Sequence, residues 1–517
     1  MDFKVNCESI PLSESVFSGT QEQSVELEYI LPDYFPDIFK LVKCRIIPRI
    51  SSKNISSDKA VYEITADIRV LYQNEHSNIL HCINQKLSYT KTIDFSRPCE
   101  NAEVTLVPKL DYVNCRAVNQ RRLDIRGAVS IKADAVCMRN QEMICDAFGM
   151  NVQLKKIPVE YVARKISAEK TVNINEELEL NSSKPSVLGI IRSDVALSAN
   201  ERKVIANKLV AKGEAVIDIL YTYENETGNG METMQFTVPY SQIIDADGID
   251  ETFECITEPE VTLCDITAAA DSKGENRIFK CDIVVSISCR AYKTAVANIV
   301  SDVYSTLYPC EFSSSLMRSE RMPVVMNEKH QAKSIAEYND GSIKCVSDVW
   351  CSISNISIKI NPESHEAFAE GNIQYSVMAE NEQGTVMLIE KDEIFEHTIR
   401  YDGIAAGSIV SLRAKPESCS YTLSSDNKIS LKADINMAFT INTAEVFNAV
   451  TEIIPDDSVK KIRDGDYALK LYYGIENEEI WSIAKKYSTS VTAIMEENDL
   501  ECDRLKQNGM ILIPITG

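Results

Sequence analysis

The chain has 517 residues, with 54 Lys and Arg against 77 Asp and Glu, a formal net charge of −23, and 44 % hydrophobic residues. That apolar share builds real cores, and the length suggests about three to four domains. An acidic chain without a large Lys and Arg cluster repels phosphate backbones and anionic membranes, so no nucleic-acid partner is expected.

The opening segment MDFKVNCESIPLSESVF has no apolar stretch of signal-peptide length. No segment reaches the roughly 18 to 20 apolar residues that span a bilayer, so we expect no transmembrane segment and a chain that stays where it is made. In LPDYFPDIFKLVKC, starting at Leu31, Pro32 and Pro36 punctuate a short run expected to lead into a turn of helix. VYEITADIRVLY then alternates: Tyr62, Ile64, Ala66, Ile68, Val70 and Tyr72 face one way, and Glu63, Thr65, Asp67 and Arg69 the other. This is the pattern of a half-buried strand. His76 and His81, flanking the polar turn that follows, are expected to be exposed.

Related strands recur at GEAVIDILYTYENE from Gly213 and GNIQYSVMAENEQG from Gly371. A second signature follows each: LDIRGAVSIKADA, IFKCDIVVSISCRA and ISLKADINMAF begin at Leu123, Ile278 and Ile429, 155 and 151 residues apart. Such periods exceed those of solenoids, roughly 20 to 50 residues, and indicate repeated domains. We expect units at 15–162, 163–320 and 321–457, after an N-terminal segment 1–14. Alternating runs such as EVTLV and MQFTVPY make these related antiparallel β domains, sandwiches or barrel-like.

After a linker at 458–467, the tail 468–517 reads as a small β-α-α-β module. LKLYYGI forms a strand, NEEIWSIAKKY an amphipathic helix with Ile480, Ile483, Ala484 and Tyr487 on one face, SVTAIMEENDL a second helix and NGMILIPI a closing strand. The 16 cysteines lack a fixed local spacing, and the expectation is mainly buried free thiols.

Chemistry-bearing motifs are sparse. The five histidines (76, 81, 330, 365 and 397) form no HExxH, and no phosphate loop or GxSxG elbow occurs. In the acidic stretch from Asp245, Gly248 comes too early for a calcium loop and Ile256 stands where a closing Glu belongs. The sequence therefore implies no enzyme, metal or cofactor.

The tail resembles a LysM domain through Leu471-Tyr472-Tyr473-Gly474, Ile480 to Tyr487, Asn498-Asp499-Leu500 and Gly509 to Pro514. Where that family has a Gly-Asp-Thr-like turn, this chain has Ile475-Glu476-Asn477-Glu478-Glu479, a more acidic groove edge that does not favour sugar. The repeats resemble SPOCS domains of spore-coat and related proteins in spore-forming Firmicutes, most closely in LPDYFPDIFKLVKC, ADIRVLY and RRLDIRGAVSIKADA. The resemblance implies a non-enzymatic spore-envelope adaptor in the mother-cell cytoplasm, at the forespore surface and the developing coat. Its LysM domain would bind the basal coat scaffold ATPase, and its β domains other coat proteins or a second copy. Trp481, Ile483, Lys485, Lys486 and Tyr487 are the expected partner-binding residues, aromatic and apolar anchors beside a basic rim. The alternatives are a LysM-targeted wall or cortex enzyme, with paired carboxylates among the many acids, and a glycan-binding structural protein.

Overall fold

The computed structural model describes residues 3–75, 79–225, 228–425, 427–462 and 468–515. The sequence reading of His76, and of half of the expected linker, 463–467, thus lies outside the described residues.

The body is built from one strand order used three times. The first unit contains β1 (Lys4–Ile30), β2 (Lys40–Ile55), β3 (Lys59–Gln73), β4 (Leu80–Asp94), β5 (Glu103–Asn119) and β6 (Arg122–Phe148). They form two three-stranded sheets, ordered β2-β3-β4 and β1-β6-β5. The second unit contains β7 (Val152–Glu179), β8 (Gly189–Ile205), β9 (Lys208–Asn225), β10 (Gly228–Asp245), β11 (Glu254–Ala270) and β12 (Asn276–Ser305), with sheets β10-β9-β8 and β11-β12-β7. The third contains β13 (Cys310–Glu320), β14 (Val324–Glu337), β15 (Ile343–Asn361), β16 (Glu366–Asn381), β17 (Val386–Arg400), β18 (Ile409–Ser425), β19 (Lys428–Asn442) and β20 (Ala444–Pro455). Its sheets are β15-β16-β17 and β14-β19-β18.

All sheets are antiparallel, and the central strands carry the cores. Along β6, Leu123, Ile125, Val129, Ile131 and Ala133 are buried at every second position, as are Ile429, Leu431, Ala433 and Ile435 along β19. These are the inward rows of two sheets packed face to face. β2 lies against β5, β8 against β11 and β15 against β18, closing one flank of each sandwich and giving it a barrel-like section.

The expected turn of helix after Pro36 is absent. A β-turn closes with Phe35 N donating to Pro32 O at 2.9 Å, and the chain goes straight into β2. The loop is fixed from outside: Arg121 donates to the carbonyls of Leu31, Pro32 and Phe35, and Tyr72 Oη to Pro36 O. The second unit repeats the device with Arg277 on Asn181 O and Tyr221 Oη on Pro185 O. A loop whose carbonyls are taken by side chains needs no helix to satisfy them.

The outer ends of three strand pairs leave the sandwiches as ribbons: β1 with β6, β7 with β12, and β13 with β20. A bulge marks each of the first two exits, at Val16 in β1 and Ala163 in β7, where an extra residue bends the strand. In the third unit the exit is a break, between β13 and β14 at Pro323, which has no N–H to offer a ladder, and between β19 and β20 at Thr443. The ribbons pack on one another into a hub. Ile10 and Met143 meet Val159, Tyr161, Ala297 and Ile299, and Phe447 and Ala449 complete the cluster.

Cysteine chemistry differs from the expectation of mainly buried free thiols: one pair is bonded, and of the 14 free thiols five are buried, six half-buried and three, Cys7, Cys345 and Cys502, exposed. Cys99 and Cys137 form a disulfide, with Cα atoms 6.0 Å apart, because the loop before β5 folds back onto β6 at the exit of the first sandwich. The remaining cysteines are free. His81 also departs from its expected exposure: it is half-buried against Tyr72, with ring centroids 5.4 Å apart, and burial lowers its pKa.

Candidate functional site: the tail module and its seat on the hub

The tail contains β21 (Leu469–Gly474), α1 (Ile480–Tyr487), α2 (Val491–Glu497) and β22 (Gly509–Pro514), with β21 and β22 paired antiparallel. Ser490 caps α2, its Oγ accepting from Ala493 N at 3.1 Å. Ser488 closes α1 in the left-handed conformation, φ 51°. Ile480, Ile483, Ala484, Ile494, Leu505, Ile511 and Ile513 fill the core.

One further residue of that core comes from elsewhere. Tyr304, near the end of β12, is 4 % exposed and packs edge-on against Trp481, with centroids 4.9 Å apart. Its Oη donates to Thr489 O at 2.7 Å. Loss of hydration pushes the phenol pKa far above its ordinary value, as fits an un-ionised donor. Two residues earlier, Asp302 accepts from Trp481 Nε1 at 2.8 Å and from Lys485 Nζ at 2.5 Å. Lys485 also lies over the Phe312 ring, 5.0 Å from its centroid. At the other end of α1, Glu479 receives Lys155 of β7 at 2.7 Å and is also held by Arg504, and these cations lower its carboxyl pKa. Lys461 adds a further tie, donating to Ser305 O at 2.7 Å and Ser488 Oγ at 3.1 Å. The module is therefore seated on the hub by aromatic packing and charge-assisted hydrogen bonds.

The five residues singled out from sequence lie on one helix in different surroundings. Trp481 and Lys485 face the hub, while Ile483 is 1 % exposed inside the module. Lys486 is exposed, over the Tyr472 and Tyr487 rings at 5.2 and 5.5 Å, and Tyr487 is half-buried against Tyr472. Sequence reasoning missed Asp302 and Tyr304. Their signal is faint, two polar-bearing residues interrupting the apolar run VANIVSDVYS.

The outer face of the hairpin points the other way. Leu471, Tyr473, Ile475 and Met510 are 66, 60, 62 and 58 % exposed, and Tyr473 pairs directly with Met510. So many large apolar side chains on one face of so small a module mark an interaction surface.

Removing Asp302 tests the seat. Asp302→Ala takes away both acceptors and leaves Lys485 unpaired, at an expected cost of about 2 kcal/mol to docking. In a Trp350→Phe background Trp481 is the sole tryptophan. Its emission should shift to longer wavelength in the Asp302→Ala chain, and an unchanged spectrum would disprove the contact.

Among the described residues no group of three or more His, Cys, Asp or Glu is placed to hold a metal ion, and no helix is long and apolar enough to cross a membrane. The architecture defines a protein of several antiparallel β domains carrying a small β-α-α-β module. A family model described as SipL, SPOCS domain matches residues 37–118 and 186–269, and a LysM domain model matches 476–514. The chain thus carries two stretches similar to the SPOCS domain and a C-terminal stretch similar to the LysM domain. The two SPOCS matches cover β2 to β5 and β8 to β11, and the third unit repeats their strand order. Searches among curated proteins and solved structures return no match.

Proposed function

We propose that the chain is a non-enzymatic assembly adaptor of the spore envelope, whose LysM module recruits the basal coat scaffold ATPase in the mother-cell cytoplasm and helps place coat at the forespore surface. The observation that carries this reading is the division of the module into two faces. Trp481 and Lys485 hold it on the body, while Leu471, Tyr473, Ile475 and Met510 face outward. A partner would meet the outward face, with Lys486 and Tyr487 at its border, and leave the seat intact. An apolar centre beside a basic rim suits a protein surface with acidic edges better than a sugar, whose hydroxyls need compact polar partners. The three sandwiches would present the remaining surface to other coat components.

The test is quantitative binding of the full chain to the scaffold ATPase, before and after the double change Tyr473→Ser, Met510→Ser. Removing two exposed anchors should weaken binding at least about tenfold, because a few apolar residues dominate most interfaces. Unaltered binding would refute the hairpin as the docking face. Retention on peptidoglycan or release of muropeptides by the same protein would favour a glycan binder or a cortex enzyme instead.

A further inference from the structure

On the side of the body away from the ribbons, the three sandwiches meet at a second junction. Its apolar part joins Leu71 and Leu80 of the first unit, Ile191 and Leu220 of the second and Met378 of the third. Beside it, cations gather from different units, although the chain as a whole is strongly acidic. Lys43, Arg45 and Arg69 from β2 and β3 and Arg192 from β8 line one pocket, together with Asp194 and Trp350. It is a small cavity of about 40 Å³, partly open to solvent.

The pairing within this group leaves one member out. Lys43 is held by Glu390 of the third unit. Arg192 donates to Asp194 at 2.6 Å and to Asp348 at 2.8 Å, and stacks over Trp350 at 5.0 Å. Arg69 reaches Ser193 O at 2.7 Å and Asp194 at 4.0 Å. Next to the pocket, Arg49 takes Asp67 at 3.3 Å and Val261 O at 2.8 Å. The Arg45 side chain has no hydrogen bond and no ion pair with any described residue. The carboxylate whose field it feels most, Asp194, is already shared by Arg192 and Arg69. Loss of hydration and the neighbouring Arg69, Arg192 and Arg49 lower the Arg45 pKa, the signature of a cation short of a counter-charge. Arg45 is half-buried, and the five N–H donors of its guanidinium, beside an open space, are a ready cradle for oxygen acceptors.

We propose that this pocket binds a small tetrahedral oxyanion of the phosphate class, held by Arg45 with Arg69 and Lys43, which locks the three sandwiches together. An arginine fork matches phosphate oxygens in bidentate geometry, and apolar walls that exclude water strengthen each such bond. Because the pocket draws residues from all three units, the anion would act as a keystone of the body, independently of what the LysM module recruits.

The experiment is thermal melting of the full chain in inorganic phosphate, with chloride at equal ionic strength as the reference. Phosphate should raise the melting temperature of the native chain in a saturable way, since a ligand that binds only the folded state stabilises it by mass action. R45M, which keeps the bulk and removes the charge, should lose that rise. An equal rise in R45M, or no rise in the native chain beyond chloride, would overturn the proposal. If R45M does not fold, R45K decides: losing the fork should raise the half-saturating phosphate concentration about tenfold, and an unchanged value rejects the site. A parallel series with glycerol phosphate separates the sources. A rise matching that of phosphate assigns a phosphorylated molecule, whereas a rise with phosphate alone assigns the free ion.

Discussion

Phe447→Ala is expected to destabilise the hub by about 3–5 kcal/mol, the usual result of truncating a buried aromatic ring. Phe447 is 5 % exposed, opposite Met317 in the third ribbon, and packs in a cluster to which β1 and β6 contribute Ile10 and Met143, and β7 and β12 contribute Val159 and Ile299. No ribbon can close over the cavity alone, since a two-stranded ribbon has no core of its own. The loss should stay local. Amide exchange in β13, β20 and the ribbon ends of β6 and β12 should quicken by roughly two to three orders of magnitude. The centres of β3, β9 and β16, buried in their own sandwiches, should keep their protection. Because Asp302 and Tyr304 sit at the far end of the β12 ribbon, the LysM seat should loosen with the hub. Uniform loss of protection across the sandwiches would show that the hub is not a separate cooperative unit.

The fold class was legible because it rests on local pattern. The central strands alternate in sequence over most of their length, and each repeat carries the same two strands at similar spacing, so a mainly β architecture with a β-α-α-β tail follows from period. The hub was not legible, because its core is assembled from three ribbons that lie far apart in sequence and bury only a few residues each. β3 shows the same limit in one strand. A half-buried strand would leave its polar row in solvent, yet Thr65 is 9 % and Asp67 6 % exposed, because that face abuts the neighbouring units. The arginines opposite and beside it are therefore seam residues. At the tail, the helix and its apolar face were plain, but which side of Trp481 would be covered depended on Asp302 and Tyr304, far upstream.

Gly213→Ala should destabilise the second sandwich by about 3 kcal/mol, at the upper end of what a single added methyl does in a packed site. Gly213 lies in β9, the central strand of its sheet, facing Tyr240 of β10. The Tyr240 ring crosses over the bare glycine to the far strand, where its Oη donates to Ser198 O of β8 at 2.6 Å. A Cβ on Gly213 would meet both the Ser198 carbonyl and the Tyr240 hydroxyl inside contact distance. The carbonyl cannot move without shifting β8, and Tyr240 is 7 % exposed and has nowhere to go. An aromatic side chain laid over a strand glycine makes good the packing that the glycine lacks. The third unit uses the same arrangement, with Phe395 against Gly371, while the first has Ile64 opposite Tyr89. Tyr240→Phe, which keeps the ring and loses only the hydrogen bond, should cost about 1 kcal/mol. Melting curves of the two variants should therefore separate clearly, Gly213→Ala being the lower. If both stayed within about 0.5 kcal/mol of the native chain, the range of an inconsequential surface change, the crossing ring would not be what holds β8, β9 and β10 in register.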